Sequence, residues 1–323
     1  MKQLMLGNTG TKVTEFCLGT LPMGPIQLDL PEAECIHIIK TALDYGVNFI
    51  DTAEAYKTEP YIGKALNDRN DRDNLVIATK ANAETYQNME KSVYNSLKEL
   101  NTDYIDIYHI HAARGAVEVF QERKGALKCL EDMKKKGKIR HIGISTHSVQ
   151  VVAKAAEIPE VEIVYPIINP KGIGIHDGSI HEMLDSVKKC CLAGKGMYAM
   201  KVLGGGNFIE DIPGHFDWAL SVQGIHAISV GVTSVEEVKY NLSLFGIESL
   251  QGVEIPDTTQ KKQLFIFSRH CIACGDCVNT CPNGALSIEE GEDGKESAVV
   301  NHDYCILCGY CSPVCPKFAI RMV

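Results

Sequence analysis

The sequence predicts an α/β fold, a closed (β/α)8 (TIM) barrel followed by a small α+β unit, and three observations lead there. Short apolar runs recur through roughly the first 250 residues, each followed by a helical pattern. No Gly-x-Gly-x-x-Gly fingerprint follows any of these runs, so an open, doubly wound dinucleotide-binding sheet lacks its usual mark. Eight of the thirteen cysteines then fall between Cys271 and Cys315, where the strand and helix rhythm has stopped. A chain of 323 residues accommodates a barrel of about 250 residues plus an appendage.

The predicted barrel strands are residues 16–19, 48–51, 75–80, 104–108, 139–144, 161–164, 196–200 and 227–230, each a short, mostly apolar run. Between them, residues 31–45, 89–100, 125–136 and 235–245 carry apolar side chains three and four positions apart, the spacing of one helix face. Ahead of the barrel, residues 2–6 and 12–15 flank Asn8-Thr9-Gly10 as a hairpin that could plug the barrel floor. Gly204-Gly205-Gly206 reads only as a flexible loop or one that lets a phosphate approach. The barrel unit is bounded as residues 1–246, and residues 247–262 form an aperiodic tether containing Pro256. Residues 263–323 form the second unit.

Composition narrows the function classes. A net charge of −9 gives no electrostatic reason for a nucleic acid or an anionic membrane as partner. No segment approaches the 18 or so uninterrupted apolar residues of a membrane span. The start, MKQLMLGNTG, lacks a basic stretch followed by an apolar run, so an unexported, cytoplasmic protein is expected. An odd cysteine total fits reduced thiols, and Cys17, Cys35, Cys129, Cys190 and Cys191, scattered in apolar or helical surroundings, are expected to be structural.

The clustered cysteines form two copies of one pattern. Cys271, Cys274, Cys277 and Cys281-Pro282 are followed by Cys305, Cys308, Cys311 and Cys315-Pro316, each reading Cys-x2-Cys-x2-Cys-x3-Cys-Pro. Thiolates at i, i+3 and i+6 of a tight turn can converge on three corners of a cubane. The fourth cysteine is carried away by the next turn or helix and must serve the other cluster. The expected ligand sets are therefore Cys271, Cys274, Cys277 and Cys315 for one [4Fe–4S] cluster, and Cys305, Cys308, Cys311 and Cys281 for the other. Gly275 and Gly309 are expected where backbone passes close to inorganic sulfide. Structural zinc usually takes two Cys-x2-Cys knuckles instead. Residues 284–288 and 318–322 match as short strands that complete a duplicated unit. From about residue 267 to 323 the chain resembles the two-cluster bacterial ferredoxins, with every ligand position of that family filled.

In a (β/α)8 barrel, chemistry sits at the carboxyl ends of the strands. There the sequence offers Asp51, Lys80, His109 and His111, and Ser145 with His147, while Tyr56 follows Asp51 by five residues. A tyrosine hydroxyl can protonate a developing alkoxide if a lysine ammonium lowers its pKa, a carboxylate holds the lysine, and a histidine orients the carbonyl. Asp51, Tyr56, Lys80 and His111 supply that set, with a barrel-mouth Asp51–Lys80 ion pair without catalysis as the lesser alternative. Through GVNFIDTAEAY, VIATK, DYIDIYHIH and GALKCLEDMKKKGKIRHIGIS, residues 1 to about 245 resemble the aldo-keto reductases. The resemblance assigns the tetrad positions to Asp51, Tyr56, Lys80 and His111 rather than His109.

The same resemblance implies a nicotinamide dinucleotide. Ser145 and Asn169 lie near carboxamide-binding positions, and Gly231, Thr233 and Asn241 near the adenosine phosphate end. Tyr165 stands where a glutamine is usual, and Met200 about where an aromatic ring often stacks on the nicotinamide. Glu237 falls near a position often basic in NADP-dependent members; its carboxylate would repel a 2′-phosphate and favour NAD over NADP. Flavin is an alternative. The whole architecture resembles the ferredoxin-fused branch of that family found in anaerobes.

The expected function is an iron–sulfur oxidoreductase of aldo-keto reductase type. It would act on a small-molecule carbonyl or alcohol at the barrel mouth, with the clusters connected to a redox-carrier protein. Hydride transfer moves two electrons and each cluster accepts one, so a flavin, a radical substrate or a partner would have to bridge them. Two alternatives stand beside it: an electron-transfer module whose barrel is mainly a docking element, and a conventional reductase whose clusters only hold the tail.

Overall fold

The computed structural model describes residues 1–323 except 68, 114, 255, 257–262, 292, 313, 318 and 323. Strands β1 (Gln3–Met5) and β2 (Lys12–Thr14) pair antiparallel, with Leu4 opposite Val13. Their turn drives Leu6 into full burial, and the Asn8 N–H donates to the Gly194 carbonyl at 3.0 Å. Because Gly194 lies just before a barrel strand, the hairpin covers the amino ends of the strands, as a floor plug should.

Eight parallel strands close the barrel: β3 (Phe16–Gly19), β4 (Phe49–Asp51), β5 (Val76–Ala81), β6 (Ile105–Ala112), β7 (Ile139–Thr146), β8 (Ile163–Pro166), β9 (Gly196–Met200) and β10 (Ala227–Gly231). Closure comes from β10 pairing with β3, Ile228 opposite Phe16. The helices are α1 (Glu32–Asp44), α2 (Glu59–Leu66), α3 (Tyr86–Glu99), α4 (Val119–Glu122), α5 (Lys124–Lys135), α6 (Val149–Ala155), α7 (Ile180–Leu192), α8 (Ile212–Ser221) and α9 (Val235–Ser243). Several starts are set by side chains that accept orphan N–H groups: Thr85 for α3, Ser148 for α6, Ser234 for α9, and a Ser179/Glu182 capping box for α7.

The strand cores fall where the apolar runs predict them, but β6 and β7 run further, to Ala112 and Thr146. All eight residues of β6 are buried, including Asp106, His109 and His111. Polar residues at the barrel mouth are thus part of the strands themselves, where a rule that expects apolar strand residues stops too early.

In the second unit, β11 (Leu264–Ile266) pairs with β14 (Ile320–Met322), α10 (Asp276–Thr280) follows the first cysteines, and β12 (Leu286–Glu290) forms a hairpin with β13 (Glu296–Val300). β11 and β13 are additions to the two strands expected from the cysteine repeats; residue 318 of the second lies outside the described residues. Leu264, Leu286, Ala298, Leu307 and Ile320 form a small core together with Cys277, Cys305 and Cys311. Of the expected tether, Glu248–Leu250 makes a 3-10 turn that buries Leu250 against the barrel, while residues 255 and 257–262 lie outside the described residues.

The two units dock through the second cysteine loop, which sits over the barrel mouth. Ile306 and Cys308 pack in the barrel's own hydrophobic cluster. Gln27 Nε2 donates to the Leu307 carbonyl at 2.9 Å, and Asn207 Nδ2 donates to the Cys305 carbonyl at 2.8 Å. Gly205, at φ +75°, lies so close to Ile306 that a methyl group there would overlap the Ile306 carbonyl. Gly309, at φ +76°, is turned to the barrel backbone at Ile26. Its missing side chain makes room for the barrel.

Gly205→Ala is therefore expected to loosen the docking and lower stability by at least about 1–3 kcal/mol, read as a fall in thermal midpoint of anaerobically purified protein. Gly206→Ala is the control, because its position has φ +103° but open space around it. It should lose less.

Candidate active site

Asp51 ends β4, Tyr56 closes a 3-10 turn (Glu54–Tyr56), and Lys80 and His111 lie near the carboxyl ends of β5 and β6. Parallel closure therefore brings all four to one mouth. Lys80 Nζ donates to Asp51 Oδ1 at 2.6 Å and to the Thr52 carbonyl at 2.8 Å. Tyr198 donates its hydroxyl to the other Asp51 oxygen at 2.9 Å, and that hydroxyl also meets His109 Nε2 at 2.7 Å. Tyr165 stacks on Tyr198, ring centroids 4.0 Å apart. Tyr198 and Tyr165 thus support the carboxylate from below, a role that a strand pattern does not reveal.

Burial pushes the Asp51 carboxyl up and the Lys80 ammonium down, and their ion pair opposes both shifts. Both histidines of β6 are held well below the ordinary imidazole value, first by burial and then by the Lys80 charge, so they are neutral near pH 7. The Tyr56 phenol is pushed well above its ordinary value by burial, then by Tyr310 and Asp51. The neighbouring Lys80 ammonium does not offset this rise. It is turned to Asp51 and Thr52 and sits over the face of the Tyr56 ring, 4.8 Å from the centroid, rather than at the hydroxyl.

A cavity of about 610 Å³ opens beside this cluster. Its wall includes Asp51, Tyr56, Tyr165 and Met200, then Gly231, Thr233, Glu237 and Asn241, and on the far side Cys305, Leu307 and Tyr310 of the second unit. Three of the expected nucleotide-binding residues, Gly231, Thr233 and Asn241, thus share one wall. Glu237 accepts from both the N–H (2.6 Å) and the hydroxyl (2.9 Å) of Thr233, which places a carboxylate at the start of α9. Ser145 and Asn169 are buried and do not line this cavity. The Asn169 amide braces its own loop instead, donating to the Ile173 carbonyl (2.8 Å) and accepting from its N–H (2.9 Å).

The eight clustered cysteines surround two further small cavities. Cys271, Cys274, Cys277 and Cys315 line one, and Cys281, Cys305, Cys308 and Cys311 line the other. Backbone N–H groups point at the sulfurs: Ala273 and Ala298 at Cys271, Ala285 at Cys281, and Ala319 at Cys315, at 3.2–3.4 Å. The last two are equivalent, each four residues past the fourth cysteine of its motif. Thiols, apolar walls and amide donors to sulfur suit an iron–sulfur cubane. Among the described residues, no three His, Cys, Asp or Glu side chains converge on a single-ion site. The remaining cysteines are free thiols, buried except for Cys191. Among the described residues no helix is long and apolar enough to cross a membrane.

Comparison with known proteins agrees with both halves. Residues 15–211 match the aldo/keto reductase family, and residues 270–319 match the 4Fe-4S dicluster domain. The aldo-keto reductase YhdN of Bacillus subtilis is 32% identical over 183 residues, 52% of this chain and 54% of that protein. Methylglyoxal reductase DkgA of Escherichia coli K12 is 29% identical over 178 residues, 53% of this chain and 63% of that protein. The chain thus spans between half and two thirds of the length of these relatives. Among solved structures, an aldo-keto reductase from Pseudomonas aeruginosa superposes with a TM-score of 0.65 at 23% identity, covering 77% of this chain and 95% of that one. A holo aldo-keto reductase from Bacillus halodurans gives 0.62 at 20% identity, over 81% and 100%. At these identities the superpositions speak for the fold alone.

Removing one member of the buried pair strands the other. Lys80→Met is expected to lower stability by about 3–5 kcal/mol, read as a lower urea midpoint. The double variant Asp51→Asn/Lys80→Met should lose less than the sum of the single losses.

Proposed function

We propose, for a chain that belongs to the aldo/keto reductase family, that the barrel mouth interconverts a small carbonyl compound and its alcohol while the second unit carries electrons to or from that site. The observation that carries this reading is the shared cavity: the wall that holds Tyr56 also holds Cys305. A ligand there would touch both the proton donor and a cysteine of the second cluster motif.

In this reading Tyr56 is the acid. Burial keeps its phenol protonated, and a carbonyl oxygen accepting from it would also face neutral His111, which orients the oxygen without competing charge. Lys80 and Asp51 supply a fixed local field below the ring and keep Tyr198, Tyr165 and Tyr56 in place. Gly231, Thr233 and Asn241 would hold the phosphate end of a nicotinamide dinucleotide, and the Glu237 carboxylate favours NAD over NADP, since it would repel a 2′-phosphate. A bound nicotinamide supplies hydride. Residues 1–246 form the reductase unit and residues 263–323 the electron-transfer unit. The ligand sets are Cys271, Cys274, Cys277 and Cys315 for the outer cluster, and Cys305, Cys308, Cys311 and Cys281 for the inner one. The cavity boundaries support this crossing, since each encloses three cysteines of one motif and the fourth of the other. The substrate class is a small carbonyl compound, the class after which the Escherichia coli relative is named.

Tyr56→Phe is expected to cut reduction of methylglyoxal or benzaldehyde with NADH by at least about 100-fold while leaving the thermal midpoint near that of the parent. An unchanged rate would move the chemistry elsewhere. Because burial raises the phenol, the parent's reduction rate should stay level through the range in which an ordinary tyrosine begins to ionise, near pH ~10, and fall only above it. Anaerobic titration with NADH, followed in the visible absorbance of the clusters, should bleach them. Clusters that respond to dithionite but not to NADH, with or without carbonyl substrate, would count against any link between the two halves.

A further inference from the structure

Tyr310 lies inside the second cysteine motif, between Cys308 and Cys311, yet its side chain leaves the cysteines and enters the barrel mouth. Its hydroxyl is 3.2 Å from His111 Nε2, and it packs beside Tyr56, whose phenol it helps to push up. The ring stands edge-on to His111, centroids 6.2 Å apart, and packs beside Ile26, Ala53 and Tyr56.

An oxygen held by His111 beside Tyr56 occupies the place that a substrate carbonyl would need. Those two groups are the proton donor and the orienting imidazole of the proposed reaction, and they converge on a single point. A neutral phenol oxygen suits that point because burial keeps both partners uncharged. The loop that delivers the ring is anchored just ahead of it, by the bonds to the Cys305 and Leu307 carbonyls and by Gly309 against Ile26. The ring is therefore presented to the site from a fixed base.

We propose that Tyr310 is the resting occupant of the substrate-oxygen position, so that a carbonyl or phenol-type ligand binds by displacing its hydroxyl, and that this exchange ties occupancy of the barrel to the cysteine loop of the second unit. The inference rests on the reading of Tyr56 and His111 as the oxygen-binding pair. Tyr310 sets access and specificity; the proton still comes from Tyr56. A ligand must carry an oxygen able to accept from Tyr56, together with a flat or small body that fits where the phenol ring lay. No bond is made or broken in the exchange.

The test uses full-length protein purified anaerobically with its clusters, and 4-nitrophenol as a binding probe read by its own absorbance. Tyr310→Phe removes the competing hydroxyl but keeps the ring. It should bind 4-nitrophenol about 5–10-fold more tightly, the worth of one displaced hydrogen bond, and the KM for benzaldehyde should fall by a similar factor. Tyr310→Leu, which also clears the ring, should move both in the same direction and by more. The electron paramagnetic resonance signal of the reduced clusters should change on adding 4-nitrophenol to the parent and change less in either variant. Unaltered probe affinity and KM in both variants would overturn the proposal, as would a lowered turnover with unaltered affinity, which would make Tyr310 a proton relay instead. Tyr56→Phe separates the two levels: it should weaken 4-nitrophenol binding, and if it does not, the reading of the oxygen site falls and this inference falls with it.

Discussion

One buried charge pair holds the barrel mouth together. Lys80 and Asp51 lie 2.6 Å apart with side-chain exposures of 1% and 4%, too deep for water to solvate either. Such a pair persists only when its remaining hydrogen-bonding capacity is met. Here the Thr52 carbonyl takes a second lysine proton and Tyr198 serves the second carboxylate oxygen. Each satisfied bond positions something else: Tyr198 fixes His109 and carries the stacked Tyr165, and Lys80 underlies the Tyr56 ring. The orientation of the proposed acid follows from the electrostatics below it, so it does not depend on a flexible loop.

The second constraint is steric. The cysteine loop and the loop after β9 approach at Gly205 and Ile306 more closely than any side chain permits. This contact turns two units into one site, because it carries Cys305, Leu307 and Tyr310 to the wall of the barrel cavity. A one-electron centre and a two-electron ligand would then face each other across a single cavity, which bears on the mismatch between hydride and single-electron chemistry.

What could be read from the sequence was local. The strand runs, the floor hairpin, the tetrad and the doubled cysteine motif all depend on neighbours within one element or on strand ends that topology gathers. Contacts between segments far apart in sequence leave no such trace. Nothing local in Gly204-Gly205-Gly206 indicates that it lies under Ile306. β13 carries alternating but weakly apolar residues, and its pairing with β12 is visible only in three dimensions. For Tyr310 a signal did exist. The two motifs share their cysteine spacing and Gly275/Gly309, but among their differences Cys274-Gly275-Asp276-Cys277 corresponds to Cys308-Gly309-Tyr310-Cys311, an exposed acid in one and an aromatic ring in the other. Departures between internal repeats mark where one copy has been given a separate task.

The two cysteine sites also differ in how they meet solvent. Cys274 is exposed, whereas Cys305, Cys308 and Cys311 are all buried, Cys308 against the barrel. With the crossed ligation proposed above, oxidative attack would begin at the outer cubane and would not remain there. It would release Cys315, four residues beyond the buried Cys311, and loosen β14, which pairs with β11. Air would then act on this protein from its rim inward, from the exposed Cys274 towards the cysteine loop that carries Tyr310.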